Sequence, residues 1–422
     1  MRLFKVVISL TFWVLALPAW SGPADLSALT AQLAKVRATH GANDQRDAGP
    51  ELTPVKQALR EWIEPQLPLA PEAGADGIAY ITVPSDLNAL GVKMSLALDA
   101  AGLTCGHWGE PDYRCGDDNH EENERGFVDQ VRVTSFDYDH YLLVVTGVGV
   151  RCGFDQSAYL YTHGPDRRWR LVLSIEQDRY GDKDYRPENF LSIAVSPSGV
   201  AWNQAAPPPL VTAIGYGPWC TSNWHELNTR LWRVTPAAVT PRPVLDRNDE
   251  LYMGNDFIAG AQLTDKDLLV QFEGGSIDGD ILIRTHVLHY SVGPGDRLAR
   301  VSPIALSPGD FVDEWLSSPW VDAATWLARG ADREALKQLH ETKSPAEFDG
   351  TPRQCRKDAS LWQVNFAAAD DKALPTHVLV RWRAPYEFAM VAVSHQPFSG
   401  CDKNVTLPSN LGTLFPQQGW IQ

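Results

Sequence analysis

Between residues 127 and 304 the chain is divided into short runs rich in Val, Leu, Ile, Thr and aromatic residues. Turn residues separate them, and most runs are too short for helices. Such runs have to pair as strands, and their spacing puts them in groups of four. One group holds "VDQVRVTSF", "YLLVVTG", "SAYLYTH" and "WRLVLSI"; the next holds "FLSIAVSPSG", "LVTAIGYG", "TRLWRVTP" and "PRPVLD"; a third holds "DFIAGAQLT", "DLLVQFEGG", "RTHVLHYSV" and "RLARVSPI". Four short strands per unit, repeated, is the layout of a propeller blade; meandering antiparallel sheets or a sandwich are the plainer alternatives. The expected fold is therefore mainly β (α+β overall), β-propeller-like or built of meandering antiparallel sheets, with helices added at two places.

The first helical section precedes the strands. Leu26, Leu29, Leu33 and Val36 share one helix face. In "LTPVKQALREW", Thr53 suits a cap, Pro54 the first helical position, and Val55, Leu59 and Trp62 an apolar face. "GIAYITV" (77–83) reads as a strand, and Ser85 as the cap of a third helix with Leu87, Leu90, Met94 and Leu98 inward. The second is an insert at 307–343, where Ser307-Pro308 and Ser318-Pro319 are cap-plus-proline starts and Phe311, Trp315, Trp326, Leu336 and Leu339 supply a buried face. "LWQVNF", "THVLVRW" and "FAMVAV" then resume the β pattern. The expected organisation is a signal peptide (1–21), an N-terminal helical section with one strand (22–104), an acidic loop (105–126), repeated four-stranded units (127–306), the insert, and a C-terminal β unit and tail (344–422).

The signal peptide rests on order: Arg2 and Lys5, an apolar run from Val6 to Leu17, then "AWS" as a small-residue cleavage site. No later stretch approaches the roughly 18 apolar residues of a spanning helix. Export to the periplasm or the extracellular space is expected, as a monomer without a membrane span. Losing Arg2 and Lys5 takes the formal charge from −15 to −17. An acidic chain without a basic stripe argues against nucleic acid as a partner.

Export gives the cysteines a role. Six remain, an even number, without the C-x-x-C clustering of a metal site. The expected bridges are Cys105–Cys115 across a polar loop, Cys152–Cys220, and Cys355–Cys401 bracketing the last β segment. Cys152 and Cys220 end two matching stretches, "TGVGVRC" and "IGYGPWC". Their G-x-G would suit a dinucleotide site only with a third glycine and a following helix, and both are lacking. The glycines are therefore expected to shape a strand end or admit a neighbouring backbone, and no cofactor is expected.

The sequence carries no G-x-S-x-G and no H-E-x-x-H. Its His-Glu steps, "WHEL", "NHEEN" and "LHETK", read as solvated turns or helix ends, and no metal site is expected. Asp178, Asp182 and Asp184 lie in the acidic stretch "EQDRYGDKDYRPENF", where Arg179, Lys183 and Arg186 can neutralise them. Together with Glu226 they are the first candidates for carboxylate catalysis.

The fifteen Trp stand out. Trp315, Trp320 and Trp326 have helical spacing and should pack. Trp219, Trp224 and His225, in "GPWCTSNWHELN", are the candidate binding residues, because exposed aromatic rings in a loop stack on sugars and other flat ligands. The leading reading is an exported, disulfide-stabilised binding or interaction protein of the cell envelope or extracellular space, with a glycan among the ligands considered. A hydrolase acting on an envelope or extracellular polysaccharide and a structural protein without small ligand stay open.

Overall fold

The computed structural model describes residues 25–38, 49–70, 84–106, 115, 125–136, 140–150, 153–176, 188–197, 208–217, 222–235, 238–254, 259–278, 283–342, 348–367 and 375–405. The signal peptide, the strand expected at 77–83, most of the acidic loop, Asp178, Asp182, Asp184, Trp219, the pair Cys152 and Cys220, and the tail from 406 lie outside them.

Three helices come first: α1 (Ser27–Ala38), α2 (Gly49–Ile63) and α3 (Pro84–Ala100). α2 starts four residues before the expected cap at Thr53, so Pro54 falls inside it. The extra turn brings Leu52, fully buried, onto the face of Val55 and Leu59. That burial offsets the hydrogen bond Pro54 cannot donate. α3 likewise begins at Pro84, one residue ahead of the expected Ser85 cap.

Sheet 1 is a meander of β1 (Arg132–Phe136), β2 (Tyr141–Val150), β3 (Gly153–His163) and β4 (Trp169–Ile175). Sheet 2 follows with β5 (Asn189–Val195), β6 (Leu210–Tyr216), β7 (Trp224–Arg233) and β8 (Leu245–Tyr252). Sheet 3 has β9 (Gly260–Leu263), β10 (Asp267–Gly275), β11 (Ile283–Gly293) and β12 (Arg297–Arg300). All pairings are antiparallel between sequence neighbours, as the groups of four require. One strand is displaced: the last run of the second group is expected at "PRPVLD", whereas β8 starts at Leu245 and continues to Tyr252 through "DRNDE". Its exposed Asp246, Asn248 and Glu250 removed the apolar signal that marks a strand.

The sheets pack in series. Leu142, Val144, Tyr159 and Tyr161 of sheet 1 face α1–α3, while Leu143, Val145 and Leu160 face Val211, Ala213 and Trp232 of sheet 2. Leu210, Ile214 and Leu227 on the other side of sheet 2 meet Leu268, Val270 and Leu288 of sheet 3. With both faces of sheet 1 covered, all ten residues of β2 are buried. This arrangement is that of meandering antiparallel sheets; no closed barrel is found among the described residues.

The insert forms α4 (Pro308–Ser317), α5 (Trp320–Ala323) and α6 (Arg333–Glu341). Ser307 caps α4 through the Asp310 amide, as its Ser-Pro start predicts. Phe311, Trp315, Trp326 and Leu336 pack against Val364, Val380 and Phe388 of sheet 4. That sheet contains β13 (Arg353–Cys355), β14 (Leu361–Asn365), β15 (His377–Ala384), β16 (Glu387–Ser394) and β17 (Cys401–Asn404), in the order β16-β15-β14-β13-β17. Two of the expected disulfides are present: Cys105–Cys115, and Cys355–Cys401, whose cysteines face each other across β13 and β17. No helix among the described residues is long and apolar enough to cross a membrane.

The G-x-G stretches lie in β2 and at the end of β6, and two of their glycines answer to close approach. A methyl group on Gly147 would come 3.0 Å from the Gln156 side chain; one on Gly215 would come 2.6 Å from the Glu188 side chain and 2.9 Å from the Asn189 carbonyl. Glu188 is buried and ion-paired with Arg230. Gly215→Ala must therefore displace a buried charge and should cost about 1–3 kcal/mol. An unchanged denaturation midpoint for this variant would show that Glu188 can shift freely.

Candidate functional site

Strand β7 is half-covered. Sheet 1 packs over β5, β6 and the far end of β7 at Trp232, and over Val234 just beyond it. Along the rest of β7, Leu227, Thr229 and Leu231 are buried toward sheet 3, while Trp224, Glu226, Asn228 and Arg230 alternate with them and keep partial exposure. β8 pairs antiparallel with β7, so each outward residue meets a partner on the same face. Trp224 faces Tyr252, Glu226 faces Glu250, Asn228 faces Asn248, and Arg230 faces Asp246. Asp246, Asn248 and Glu250 are exposed.

The result is a ladder of four different chemistries. At its end the Trp224 and Tyr252 rings lie 5.0 Å apart between centroids, tilted by 57°. Gly254 gives this pair room, since a methyl group there would collide with the Tyr252 ring. The Met253 amide donates to the Asn223 carbonyl at 2.8 Å and the Trp224 amide to Ser222 Oγ at 2.9 Å, which fixes both strand ends. At the opposite end, burial pushes the Arg230 guanidinium pKa down, against the charges of Asp246 and Asp155. Glu188 pairs with it. Between them the two carboxylates stand opposite each other, an arrangement that disfavours the sheet when nothing offsets it. A methyl group on Gly275 of β10 would lie 3.1 Å from Glu250 Oε2, so sheet 3 borders the ladder on that side.

Strand alternation divides the sequence-based candidates. Trp224 lies on the ladder face. His225 lies on the other face, beside Tyr216 at 5.3 Å, with Nδ1 bonded to the Gly217 carbonyl at 3.0 Å. It fastens the end of β6, next to the stretch that carries Trp219. Glu226 joins Trp224 on the ladder. The "WHEL" step, expected as a solvated turn or helix end, is part of β7, and its His and Glu point to opposite faces. "LHETK" also differs from expectation: His340 is buried, with Nε2 bonded to the Ser318 carbonyl at 2.9 Å and its ring edge-on to Trp315. Among the described residues no group of three or more His, Cys, Asp or Glu is placed to hold a metal ion.

Two buried charge clusters were not foreseen. Lys56 of α2 bonds Asp155 of β3 at 2.8 Å, with both side chains nearly inaccessible. The larger cluster joins α4 to sheet 3. Arg284 donates to Asp313 at 2.7 Å and to Glu314 at 2.6 Å, and Arg300 donates to Glu314 at 2.6 Å. His286 meets Glu314 at 2.9 Å through Nδ1 and the Gly275 carbonyl at 3.0 Å through Nε2. Burial opposes ionisation of Glu314, yet its His286 hydrogen bond and the charges of Arg284, His286 and Arg300 hold its pKa well below the usual range. These clusters clamp layers together and are closed to solvent, whereas the ladder is open to it.

No protein-family model matches the chain, and no curated protein does.

Proposed function

We propose that the protein is an exported binding protein that takes a glycan along the β7–β8 ladder of sheet 2. The observation that carries this reading is the in-register sequence of an aromatic pair, a carboxylate pair and an amide pair on one partly open sheet face. Aromatic rings stack on the apolar faces of sugars, while carboxylates and amides accept from and donate to hydroxyls. Same-face positions repeat every two residues, about 7 Å, so the four steps extend over about 20 Å and suit a chain of sugar units. The signal-like N-terminus and the disulfides support export. A glycan array covering polysaccharides and peptidoglycan fragments tests the reading: binding by the native protein and loss of it in Trp224→Ala is the expected result. A native protein that binds nothing on the array removes it.

One observation favours a second reading, hydrolysis of a polysaccharide. Glu226 and Glu250 are opposed across two strands, and retaining glycosidases use two carboxylates about 5–5.5 Å apart. Binding is preferred because the Glu250 carboxylate lies against Gly275. Release of reducing ends from a bound oligosaccharide, abolished in both Glu226→Gln and Glu250→Gln, would establish the hydrolase instead.

A further inference from the structure

We infer that His286, held as an imidazolium, is the positioning residue that ties the ladder to the buried charge cluster, so that loss of its proton loosens the ladder and weakens binding there. The inference rests on the glycan reading above and adds its regulation by pH. Both ring nitrogens face acceptors: Nδ1 lies 2.9 Å from a Glu314 carboxylate oxygen and Nε2 lies 3.0 Å from the Gly275 carbonyl oxygen. A carbonyl cannot donate. Glu314 is ionised despite its burial, through the His286 hydrogen bond and the cations around it, so it cannot donate either. Only a ring with a hydrogen on each nitrogen serves both partners. The surroundings favour that form: Asp310, Asp313 and Glu314 of α4 act on Arg284, and Arg300 bonds Glu314, so the imidazolium is the third cation against three carboxyl groups. Arg247 of β8 is closed by its own pair with Asp249, and the Tyr290 hydroxyl accepts from Arg300.

The Gly275 end of the ring leads to the ladder. A methyl group on Gly274 would come 2.6 Å from the Glu250 carbonyl of β8 and 3.2 Å from the His286 ring, and one on Gly275 would come 3.1 Å from Glu250 Oε2. The two glycines are thus a thin wall between His286 and the ladder strand. The ring is itself fixed, stacked on Phe272 at 4.8 Å with 4° between the planes. Just past the wall, Ser276 Oγ and the Ile277 amide donate to Asp313 of α4. A neutral imidazole has one N–H, and the charged Glu314 claims it at Nδ1. The Nε2 lone pair then meets the Gly275 carbonyl, acceptor against acceptor, and pushes the wall toward Glu250.

The test follows the isotope-labelled full mature protein by nuclear magnetic resonance from mildly acidic to mildly alkaline buffer. The His286 ring should carry hydrogens on both nitrogens at the acidic end, and as one is lost the Gly274, Gly275 and Glu250 amides should shift with it. Calorimetry with an oligosaccharide bound on the array should show the affinity falling about tenfold over the same range, the worth of one buried hydrogen bond. His286→Phe keeps a flat ring on Phe272 without either hydrogen bond; it should bind weakly and equally at every pH in the series, and its thermal midpoint checks that it folds. The native series stands without the variant. A ring with a single N–H throughout, amides that stay still while the ring changes, or an affinity that does not fall overturns the inference while the glycan reading stands. A fall of the same size in His286→Phe also overturns it. Binding of no glycan at all removes the glycan reading and its regulation together.

Discussion

Replacing Glu314 with alanine should lower the stability of the protein by about 3–5 kcal/mol, the cost of leaving buried charge uncompensated. Glu314 accepts from Arg284, Arg300 and His286 inside the contact between α4 and sheet 3. Its removal leaves Asp313 to answer both arginines, with only Arg284 in contact with it. The loss should appear as an earlier denaturant transition in the fluorescence of buried Trp315 and Trp326, which pack in the helical insert. Glu314→Gln separates charge from shape. Because the native pKa of Glu314 is depressed, its charge contributes fully above the ordinary value of 4.5 and is lost as the pH falls below it. The glutamine variant should therefore be less stable than the native protein at pH 7 and show a flatter stability profile below about pH 4.5. An unshifted transition in both variants would mean that the cluster does not hold α4 to sheet 3.

Trp224→Ala should weaken glycan binding about thirtyfold, the effect of deleting an aromatic anchor worth about 2 kcal/mol. The ring makes up half of the aromatic step, and nothing else described on the ladder offers a second indole. The matching control is Trp382→Ala. Trp382 is 38% exposed on β15 of sheet 4, a different sheet from the one that carries the ladder. Its removal should leave the affinity unchanged. Gly254→Ala should fall between the two, since the added methyl group displaces Tyr252 without deleting a ring. If Trp382→Ala weakens binding as much as Trp224→Ala does, the ligand site lies on sheet 4.

Much of the fold was legible because period and turn chemistry are local. The four-run groups marked nearly every strand of sheets 1–3, and the Ser-Pro start marked α4. β8 was displaced because an exposed edge strand, "LDRNDELY", carries polar residues where a core strand would carry apolar ones. β13 and β17 span three and four residues, too few to show a period.

The ladder was half legible. Trp224 and Glu226 stood out by residue type, but pairing them with Tyr252 and Glu250 needs the β7–β8 register, which no local pattern gives. The same knowledge separates His225 from Trp224, since neighbours in a strand face opposite ways. The charge clusters left fainter signals: Asp313 and Glu314 sit within the otherwise apolar turn "FVDEWL", and Arg284 and His286 alternate along β11. Only the tertiary packing of α4 on sheet 3 shows that these residues answer one another.

The most direct measurement of the ladder's role is nuclear magnetic resonance of isotope-labelled protein during titration with a bound oligosaccharide. Binding on the ladder predicts concerted shifts of the Trp224 indole N–H and the Asn228 and Asn248 side-chain amides, with the Trp382 indole unmoved. Shifts confined to other sheets, with these three groups unchanged at saturation, would contradict it.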